Sequence, residues 1–382
     1  MKRFSPRFEG HRPSGSRRVA AALGALLLVT TVTTTGCKPE FSERPSEVEN
    51  YRVLAIQAEP AEWQRILDPD TGLAKPAKYR ALVVNPLGTV DKPELEWAFC
   101  TLPKPLTELN DVNIKCFQND PAYIVNVGKG PEASAAVPEN TCRQFGPDIP
   151  EDQSFRPADP DVTGGYYQPL RVLYRPDGGR VIPALGKVRI RCGLPGASQE
   201  QITQFNRSYH LNTNPTIERV TAQLPAGEQV LEALEVKPDA EPLVVGPGQT
   251  ITLRVSWPAC PATDVCGDGY CGPTETKENG PGQCEQDCKV ERACGGAERY
   301  LSFSLETRQL TDVREVMRAS WFAVDGGGAF RDDRTGRSAD DVATFTDNEY
   351  TAPTTPGVYP IWVVLRDDRG GVTWSSVRVR VQ

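Results

Sequence analysis

Three carboxylate side chains in a short cysteine-rich stretch have the spacing of ligands in a twelve-residue calcium loop. Counted from Asp264, places one, five and twelve fall on Asp264, Asp268 and Glu275, and Gly269 stands at the sixth place, where such loops require glycine. The third place is Cys266, which a disulfide would consume. We therefore favour a Gly-Asp-Gly turn held by disulfides alone, with a calcium site formed by the three carboxylates as the alternative. We expect no cofactor, and Ca²⁺ is the alternative that this spacing offers.

The eleven cysteines divide into one separate residue and two even groups. Cys37 stands apart, four cysteines lie between residues 100 and 192, and six lie between residues 260 and 294. Even local groups in an exported chain are typical of disulfides formed in an oxidising compartment. The ten cysteines that we expect to be oxidised are Cys100, Cys116, Cys142, Cys192, Cys260, Cys266, Cys271, Cys284, Cys288 and Cys294.

The disulfide pairing is only partly constrained by the sequence. In the first group we favour Cys100–Cys116 and Cys142–Cys192, although four cysteines allow three pairings. In the second group we expect Cys260–Cys294 to close the base of an insert, with the other four cysteines paired among themselves. Six cysteines in 35 residues with few apolar side chains indicate that disulfides replace a hydrophobic core there.

Histidine is scarce, which narrows the reactions open to this chain. His11 lies in a segment that we expect to be removed, so His210 is alone in the remaining chain. A single histidine disfavours Ser-His-Asp and Cys-His catalysis and excludes multi-histidine zinc sites. Carboxylate-pair hydrolysis stays open because acidic residues are numerous, but no spacing singles out a pair. We predict no catalytic residues and a protein that is not an enzyme.

The first 37 residues have the order of a lipoprotein export signal. Basic residues precede an apolar run of about fifteen residues, which is too short to span a bilayer. Gly36-Cys37 then resembles a bacterial lipobox, in which the thiol is acylated and becomes the first residue of the mature chain. Thr34 stands where that pattern has an aliphatic residue, so the alternative is an ordinary signal peptide followed by a chance cysteine.

The lipobox resemblance implies a location and an anchor. It implies a signal peptide over residues 1–36 and a lipidated, palmitate-bearing Cys37 at the start of a flexible tether over residues 37–48, because KPEFSERPSEVE is polar and rich in Pro and Glu. Lys38 replaces the Asp that would retain a lipoprotein in the inner membrane. We therefore expect an outer-membrane lipoprotein of the cell envelope, facing the periplasm or the cell surface, with the membrane as a partner.

Charge and length limit the partners and the number of domains. Residues 1–36 carry six Lys and Arg and one Glu, which leaves 37 basic and 49 acidic residues and a net charge of −12 in residues 37–382. That charge disfavours nucleic acid as a partner. The remaining 346 residues suit two domains, and 67 Gly and Pro in the full chain favour a loop-rich β protein.

The first domain is predicted over residues 49–211. Short β-like runs are separated by Pro, Gly, Asn and Asp, and Trp97 resembles the core Trp of an immunoglobulin-type sandwich. In the last run, Val188, Ile190 and Cys192 share one face and three basic residues the other. A long Pro/Asp/Gly-rich stretch over residues 129–168 predicts a stapled surface loop or a binding edge. The predicted strands are Arg52–Ala58, Tyr79–Val84, Leu95–Cys100, Tyr123–Val127, Leu170–Tyr174 and Val188–Cys192.

One short helix and a linker are predicted near the end of this domain. Ser198 and Gln201 form a capping box ahead of an apolar stripe at helical spacing. Asn212–Pro215 is typical of a linker.

The second domain is predicted over residues 212–382, with the cysteine-rich insert at 259–295. The strand Thr250–Trp257 alternates along its length, and Val377, Val379 and Val381 form its counterpart at the end of the chain. Further strands are predicted at Tyr300–Leu305, Val316–Val324 and Tyr359–Arg366. The pattern predicts an antiparallel sandwich, so the fold class is all-β, with two Ig-like β-sandwich domains in tandem.

Several stretches resemble known families. The end of the chain, with Asp367-Asp368-Arg369-Gly370-Gly371, resembles bacterial Ig-like and PKD-type modules, in which such a turn joins the last two strands. The insert resembles the CGDGxC…CxxDC repeats of secreted, mainly myxobacterial proteins. Together with EWAFCTLPKPLTELN, FGPD…YYQPLR, RCGLPG and WVVLRDDRGG, these features resemble a family of myxobacterial surface lipoproteins. That resemblance implies fold and location, and it transfers no functional site.

Three hypotheses for function follow from the sequence. The first is a non-catalytic cell-envelope lipoprotein that binds or scaffolds an envelope protein or polysaccharide through Ig-like modules. The second is a carbohydrate- or matrix-binding adhesin whose insert is stabilised by calcium. The third is a carboxylate-based hydrolase, which would require two carboxylates flanking a pocket.

Overall fold

The computed structural model describes residues 44–103, 112–149, 151, 160–276, 282–288 and 294–382. The predicted signal peptide, Cys37 and the first part of the predicted tether lie outside these residues. Residues 43–382 belong to one structural unit. Among the described residues, none of the helices is both long and apolar enough to cross a bilayer.

Nearly all regular structure in the described residues is β-strand, so the all-β prediction is confirmed. Before residue 191 the strands are β1 (Glu47–Val48), β2 (Arg52–Glu59), β3 (Glu62–Trp63), β4 (Ala77–Asn85), β5 (Gly88–Thr89), β6 (Leu95–Cys100), β7 (Ile124–Lys129), β8 (Glu132–Ala135), β9 (Tyr166–Tyr174) and β10 (Ile182–Ile190). After residue 218 they are β11 (Arg219–Leu224), β12 (Gly227–Leu231), β13 (Leu243–Val245), β14 (Thr250–Ser256), β15 (Arg299–Ser304), β16 (Gln309–Arg314), β17 (Met317–Val324), β18 (Ala329–Phe330), β19 (Arg334–Arg337), β20 (Phe345–Thr351), β21 (Gly357–Arg366) and β22 (Val372–Val381). The α-helices are α1 (Thr141–Gln144), α2 (Gln199–Ser208) and α3 (Glu285–Cys288), and Ile114–Phe117 form a 3₁₀-helix.

Strands β2 to β10 form two facing sheets, which we call the first sandwich. One sheet pairs β2 with β4 and β4 with β8. The other has the order β3-β10-β9-β6-β7. Its short strand β3 runs parallel to the long strand β10, whereas the other pairs are antiparallel.

The remaining long strands form a second sandwich with the same plan. One sheet contains β11, β14 and β20 side by side, with β12 and β18 at its edges. The other has the order β13-β22-β21-β17, with β13 parallel to β22 and with β19 and β1 both paired to β17. In both sandwiches a short early strand pairs with the last strand of the opposite sheet. This is the arrangement of immunoglobulin-type sandwiches.

The cores follow from the alternation that the sequence shows. Ile251, Leu253 and Val255 are buried, as a period of two requires for a strand with one face in the core. Trp97 in β6 and Trp321 in β17 occupy the same strand of their respective sandwiches, and both are at most 1% exposed. Each indole N–H finds a partner 2.9 Å away, Gly130 O for Trp97 and Thr335 Oγ1 for Trp321. These bonds satisfy the polar N–H groups of both buried indoles.

Helix α2 and a hairpin form a small third core beside the sandwiches. The capping box is present: Ser198 Oγ accepts from the Gln201 N–H, and the Gln201 side chain accepts from the Ser198 N–H. Phe205 and Tyr209 stack on each other and belong to one cluster with Tyr300 of the hairpin β15–β16. This hairpin is inserted between β14 and β17, so the helix attaches an insertion of the second sandwich to the first.

The two sandwiches share a hydrophobic interface. Leu54 and Leu82 of the first sandwich and Trp362 and Val364 of the second belong to one buried cluster. Across it, the Trp362 indole donates to Thr89 Oγ1 at 2.9 Å, and Arg366 Nη2 donates to Leu54 O at 2.7 Å. A junction of this kind leaves the sandwiches little freedom to swing.

The structure corrects the end of the predicted tether. Ser46 and Val48 are buried, and Glu47–Val48 pair in parallel with Ala323–Val324 of β17. A free tether up to residue 48 is therefore wrong, because these residues extend a sheet of the second sandwich. The chain therefore contributes a strand to the second sandwich before it forms β2, the first long strand of the first sandwich.

Two further predictions are corrected at the junction. Arg189 was expected on a solvent-facing side of its strand, but it is 2% exposed. Asn212 and Asn214 were expected in a linker, yet Asn212 is buried and Asn214 donates to Ala58 O at 2.7 Å. In both cases residues 58–62, which are distant in sequence, provide hydrogen-bond or ion-pair partners in place of water.

Candidate functional site: the seam between the sandwiches and the cysteine-rich insert

Charged and polar side chains are buried together where the sandwiches meet, and we call them the seam cluster. They come from segments that are far apart in sequence, and each is less than 10% exposed. They are Glu62, Arg189, Tyr209, Asn212, Glu298, Glu315, Asp367 and Arg369.

Arg369 is the centre of one half of the seam cluster. Its Nε lies 2.7 Å from Glu315 Oε1, and its Nη2 lies 3.4 Å from Glu298 Oε2. Its Nη1 donates to His210 O at 3.2 Å, and the guanidinium lies 4.4 Å from the centre of the Tyr300 ring. Burial raises the pKa of Glu315, and the positive charge of Arg369 opposes that shift.

Glu62 is the centre of the other half. Its Oε2 accepts from the Tyr209 hydroxyl at 2.6 Å and from the Asn212 backbone N–H at 2.9 Å, and it lies 3.4 Å from Arg189 Nε. The Asn212 side chain then donates to Asp367 Oδ1 at 3.2 Å. Burial raises the pKa of Asp367 to about 6, although Arg369 and the Gly371 N–H oppose the shift.

The seam cluster is suited to holding the sandwiches together rather than to catalysis. Its carboxylates are each bonded to a cation, an amide or a hydroxyl from another segment. Buried polar networks of this kind fix one arrangement of the surrounding elements, because any other arrangement leaves a charge unpaired.

A groove runs along the same seam, and we call it the seam groove. It encloses about 600 Å³ between β2 and β10 of the first sandwich and the β21–β22 turn of the second. Gly186 lies against Ile56, where a Cβ would come within 2.7 Å of Ile56 Cγ2. The groove walls are Val53, Leu54, Ala55, Ile56, Asp161, Tyr167, Pro183, Ala184, Leu185, Gly186, Lys187, Arg366, Asp367, Asp368, Gly370, Gly371 and Val372.

The seam groove contains both an unbalanced cation and an unbonded carboxylate oxygen. Arg366 donates to Leu54 O and Ser320 Oγ, and among the described residues no carboxylate pairs with it. Burial lowers the pKa of Arg366 to about 10. Asp368 Oδ1 is buried without a hydrogen-bond partner, and burial raises the pKa of Asp368. Such groups favour a polar ligand that both accepts and donates hydrogen bonds.

All ten of the predicted cysteines outside Cys37 form disulfides. Cys100 is joined to Cys116 and Cys142 to Cys192, which are the partners favoured from the sequence. Cys260–Cys294 closes the insert, and Cys266–Cys284 and Cys271–Cys288 lie inside it. Cys37, the predicted lipidation residue, lies outside the described residues.

The structure does not assemble the calcium ligands in the set predicted from sequence. Asp264 Oδ1 forms an ion pair with Arg299 at 2.7 Å, and its Oδ2 accepts from the Thr274 N–H. Asp268 is exposed, and its Oδ1 accepts from the N–H of Tyr270 two residues on. Asp264, the first expected ligand, is thus paired with Arg299, and Asp268, the second, accepts a hydrogen bond within a local turn.

The third predicted ligand, Glu275, meets a carboxylate that the sequence analysis did not select. Ligand atoms of Cys266, Glu275, Cys284 and Asp287 all lie within 4.8 Å of one another. Glu275 and Asp287 are 4% and 6% exposed. Burial raises the pKa of Glu275, and Asp264, Asp268 and Asp287 add to the shift.

Sequence reasoning missed the seam cluster and Asp287 for different reasons. The burial of Arg189 and Arg369 carries no local signal, because their partners lie more than fifty residues away along the chain. Asp287 did have a signal, since it is the acidic residue before the last cysteine of the CxxDC motif. A twelve-residue calcium loop that starts at Asp264 ends at Glu275, so the ligand search did not reach Asp287.

No protein-family model matches the sequence, and neither does any curated protein. Solved structures align along most of the chain at low similarity. Latent PorU from Porphyromonas gingivalis shares 12% identity over 88% of this chain, with a TM-score of 0.20. The fibronectin(III)-like modules of CbhA from Clostridium thermocellum share 10% identity over 87% of this chain and 94% of theirs, with a TM-score of 0.18.

The adhesin InvE from Yersinia pseudotuberculosis shares 10% identity over 86% of this chain and 58% of its own, with a TM-score of 0.20. The chain spans 24% of the length of the PorU chain that it matches. TM-scores this low carry no argument about function. The immunoglobulin-type arrangement rests on the strand order of this chain.

Proposed function

We propose that this chain is a non-catalytic lipoprotein of the cell envelope that binds a partner in the seam groove. The observation that carries the proposal is the construction of this groove. Its walls come from both sandwiches, and the buried seam cluster fixes their relative position. A groove that is already formed binds without an ordering cost, which is what a recognition site requires.

The location in this proposal rests on sequence together with the disulfides. The export signal and Cys37 imply a lipid anchor, and Lys38 implies the outer membrane. Five disulfides suit an oxidising compartment outside the cytoplasm. Residue 44 is seven residues from Cys37, and seven residues span at most about 25 Å. The sandwiches would then stand close to the bilayer, where an envelope protein or polysaccharide is the partner.

The anchor is tested by mass spectrometry of the N-terminal peptide from the membrane fraction. We expect an acylated Cys37 as the first residue, and we expect Cys37→Ser to release the protein from that fraction. An unmodified thiol at residue 37 in membrane-associated protein would contradict the anchor.

The groove is tested by site-specific photo-crosslinking in intact envelopes. A photoreactive residue at the exposed position Pro183, on the groove wall, should give a discrete adduct. The matched control is Val230 in β12, which is 59% exposed and does not line the groove. Equal labelling from the two positions, or none from Pro183, would contradict binding in the groove.

A further inference from the structure

The cysteine-rich insert gathers electron-rich groups at one buried point. Asp287 Oδ2 lies 3.2 Å from Cys284 Sγ, which has no proton to donate because it is bonded to Cys266. The Glu275 carboxylate lies within 4.8 Å of both. The two carboxylates and the sulfur of Cys284 therefore face one another, and each of these three residues is at most 6% exposed.

Hydrogen bonds to backbone N–H groups hold each carboxylate but leave acceptor capacity unused. Asp287 accepts from the N–H groups of Gly267 and Gly269, the latter at 3.1 Å. Glu275 Oε2 accepts from the Gly272 N–H at 3.0 Å. Glu275 Oε1 is fully buried and has no hydrogen-bond partner among the described residues. An unbonded oxygen of a carboxylate that is 4% exposed is costly unless a cation or a proton satisfies it.

We propose that Glu275 and Asp287 bind a divalent cation, and that Ca²⁺ is the ion that this site selects. Both cysteines of the group are oxidised, so the available side-chain ligands are oxygens, which Ca²⁺ prefers and which zinc and copper sites seldom use alone. One ion at 2.3–2.6 Å from two oxygens requires them to lie no more than about 5 Å apart, and the 4.8 Å limit meets this requirement.

The proposed site would link the two halves of the insert. Glu275 precedes the second pair of inner cysteines, Cys284 and Cys288, and Asp287 lies in α3 between them. The N–H groups that hold Asp287 belong to the Gly267–Gly269 turn in the first half. A cation bound here therefore joins segments that the disulfides Cys266–Cys284 and Cys271–Cys288 also join.

Isothermal calorimetry and thermal unfolding of the purified chain test the proposal, with Ca²⁺ alone added after treatment with a chelator. We expect saturable binding and a rise in melting temperature. Glu275→Gln and Asp287→Asn should each weaken Ca²⁺ binding at least tenfold. The matched control is Asp268→Asn, which changes an exposed acid of the same insert and should leave binding unchanged.

Disulfide content, measured by mass after alkylation, shows whether the variants still fold. A variant with five intact disulfides and weakened binding supports the site. Absence of heat and of any melting shift in the unaltered chain at millimolar Ca²⁺ overturns it. A second result would also overturn the proposal: the unaltered chain binds no Ca²⁺, and Glu275→Gln has a higher melting temperature than the unaltered chain in chelator. In that case a proton shared by Glu275 and Asp287 would occupy the place assigned to the cation.

Discussion

The turns between the last two strands of the two sandwiches both contain Asp, Arg and a Gly-Gly pair, but one turn is exposed and the other is largely buried. In the first sandwich, β9 and β10 are joined by Arg175-Pro176-Asp177-Gly178-Gly179-Arg180-Val181, whose Asp, Gly and Arg residues are exposed. In the second, β21 and β22 are joined by Asp367-Asp368-Arg369-Gly370-Gly371, where Asp367 and Arg369 are buried in the seam cluster. The β9–β10 turn is thus exposed to solvent, whereas the β21–β22 turn, with similar residue types, connects the second sandwich to the first.

The difference shows that the fate of a charged turn depends on what is packed against it. Arg180 has solvent around it, whereas Arg369 has Glu298 and Glu315, supplied by segments on either side of the inserted hairpin. The first sandwich has no insertion at the equivalent point, between β4 and β6, that could supply such acids. An insertion therefore converts a surface turn into a structural element.

The largest expected effect comes from removing the cation of the buried turn. Arg369→Gln leaves Glu298 and Glu315 buried without a counter-charge, and we expect the free energy of unfolding to fall by about 3–5 kcal/mol. Urea denaturation followed by fluorescence measures this loss. The matched control is Arg180→Gln in the exposed turn, for which we expect a change within about 0.5 kcal/mol. Equal losses from the two variants would remove the distinction between the turns.

The next effect is a change in how stability depends on pH. Because burial raises the pKa of Asp367 to about 6, the unfolded chain releases this proton near pH 4 while the folded chain keeps it. The contribution of Asp367 is therefore fully present below pH 4 and is lost as the pH rises to about 6. Across that window Asp367→Asn should gain up to about 3 kcal/mol relative to the unaltered protein.

Two controls accompany the pH measurement. Asp177→Asn, in the exposed turn, should run parallel to the unaltered protein between pH 4 and pH 6. Asp341→Asn should differ in the opposite direction and at lower pH, because the Ala343 N–H lowers the pKa of Asp341 below its ordinary value of 3.8, so that the contribution of Asp341 is lost only as the pH falls below that value. A flat difference between Asp367→Asn and the unaltered protein would contradict the buried state of this turn.

The smallest expected effect concerns the outer part of the interface between the sandwiches. The Arg80 guanidinium lies 4.6 Å from the centre of the Trp374 ring. Arg80→Met keeps the aliphatic stem but removes the charge and the hydrogen bond from Arg80 Nε to Oε1 of the buried Gln57, so we expect a loss of about 1–2 kcal/mol. Urea denaturation resolves this against Lys78→Met on the same strand, which should be neutral. A loss above 2 kcal/mol would contradict this ranking, because the contacts of Arg80 would then stabilise the interface about as much as the seam cluster does.

The sequence predicted what depends on neighbouring residues. The alternating strands lie where expected within a few residues, because a period of two in apolar side chains leaves only one face to bury. The capping box at Ser198 is equally local. Trp97, which resembles the core Trp of an immunoglobulin-type sandwich, lies in the core as that resemblance implies.

What the sequence could not predict depends on distant contacts. Alternation placed Arg189 on an outward face, and no local feature shows that Glu62 covers that face. The same holds for Asn212, whose surroundings suggested a linker. In the insert, Asp264 has the right spacing for a ligand, but its Oδ1 is already paired with Arg299 at 2.7 Å. The local sequence pattern is enough to predict a strand. Which charged side chains stay free to bind a ligand depends on contacts between residues that are distant in sequence.

The pairing of Val48 with Val324 has a consequence for biogenesis. Because a protein is synthesised from its N-terminus, residue 48 is made long before residue 324. The strand that emerges earliest must therefore wait, unpaired, until most of the polypeptide has followed. A chain that ends after residue 211 would leave Val48, Leu54 and Leu82 uncovered, so these residues are expected to need protection by a chaperone until the C-terminal half is present.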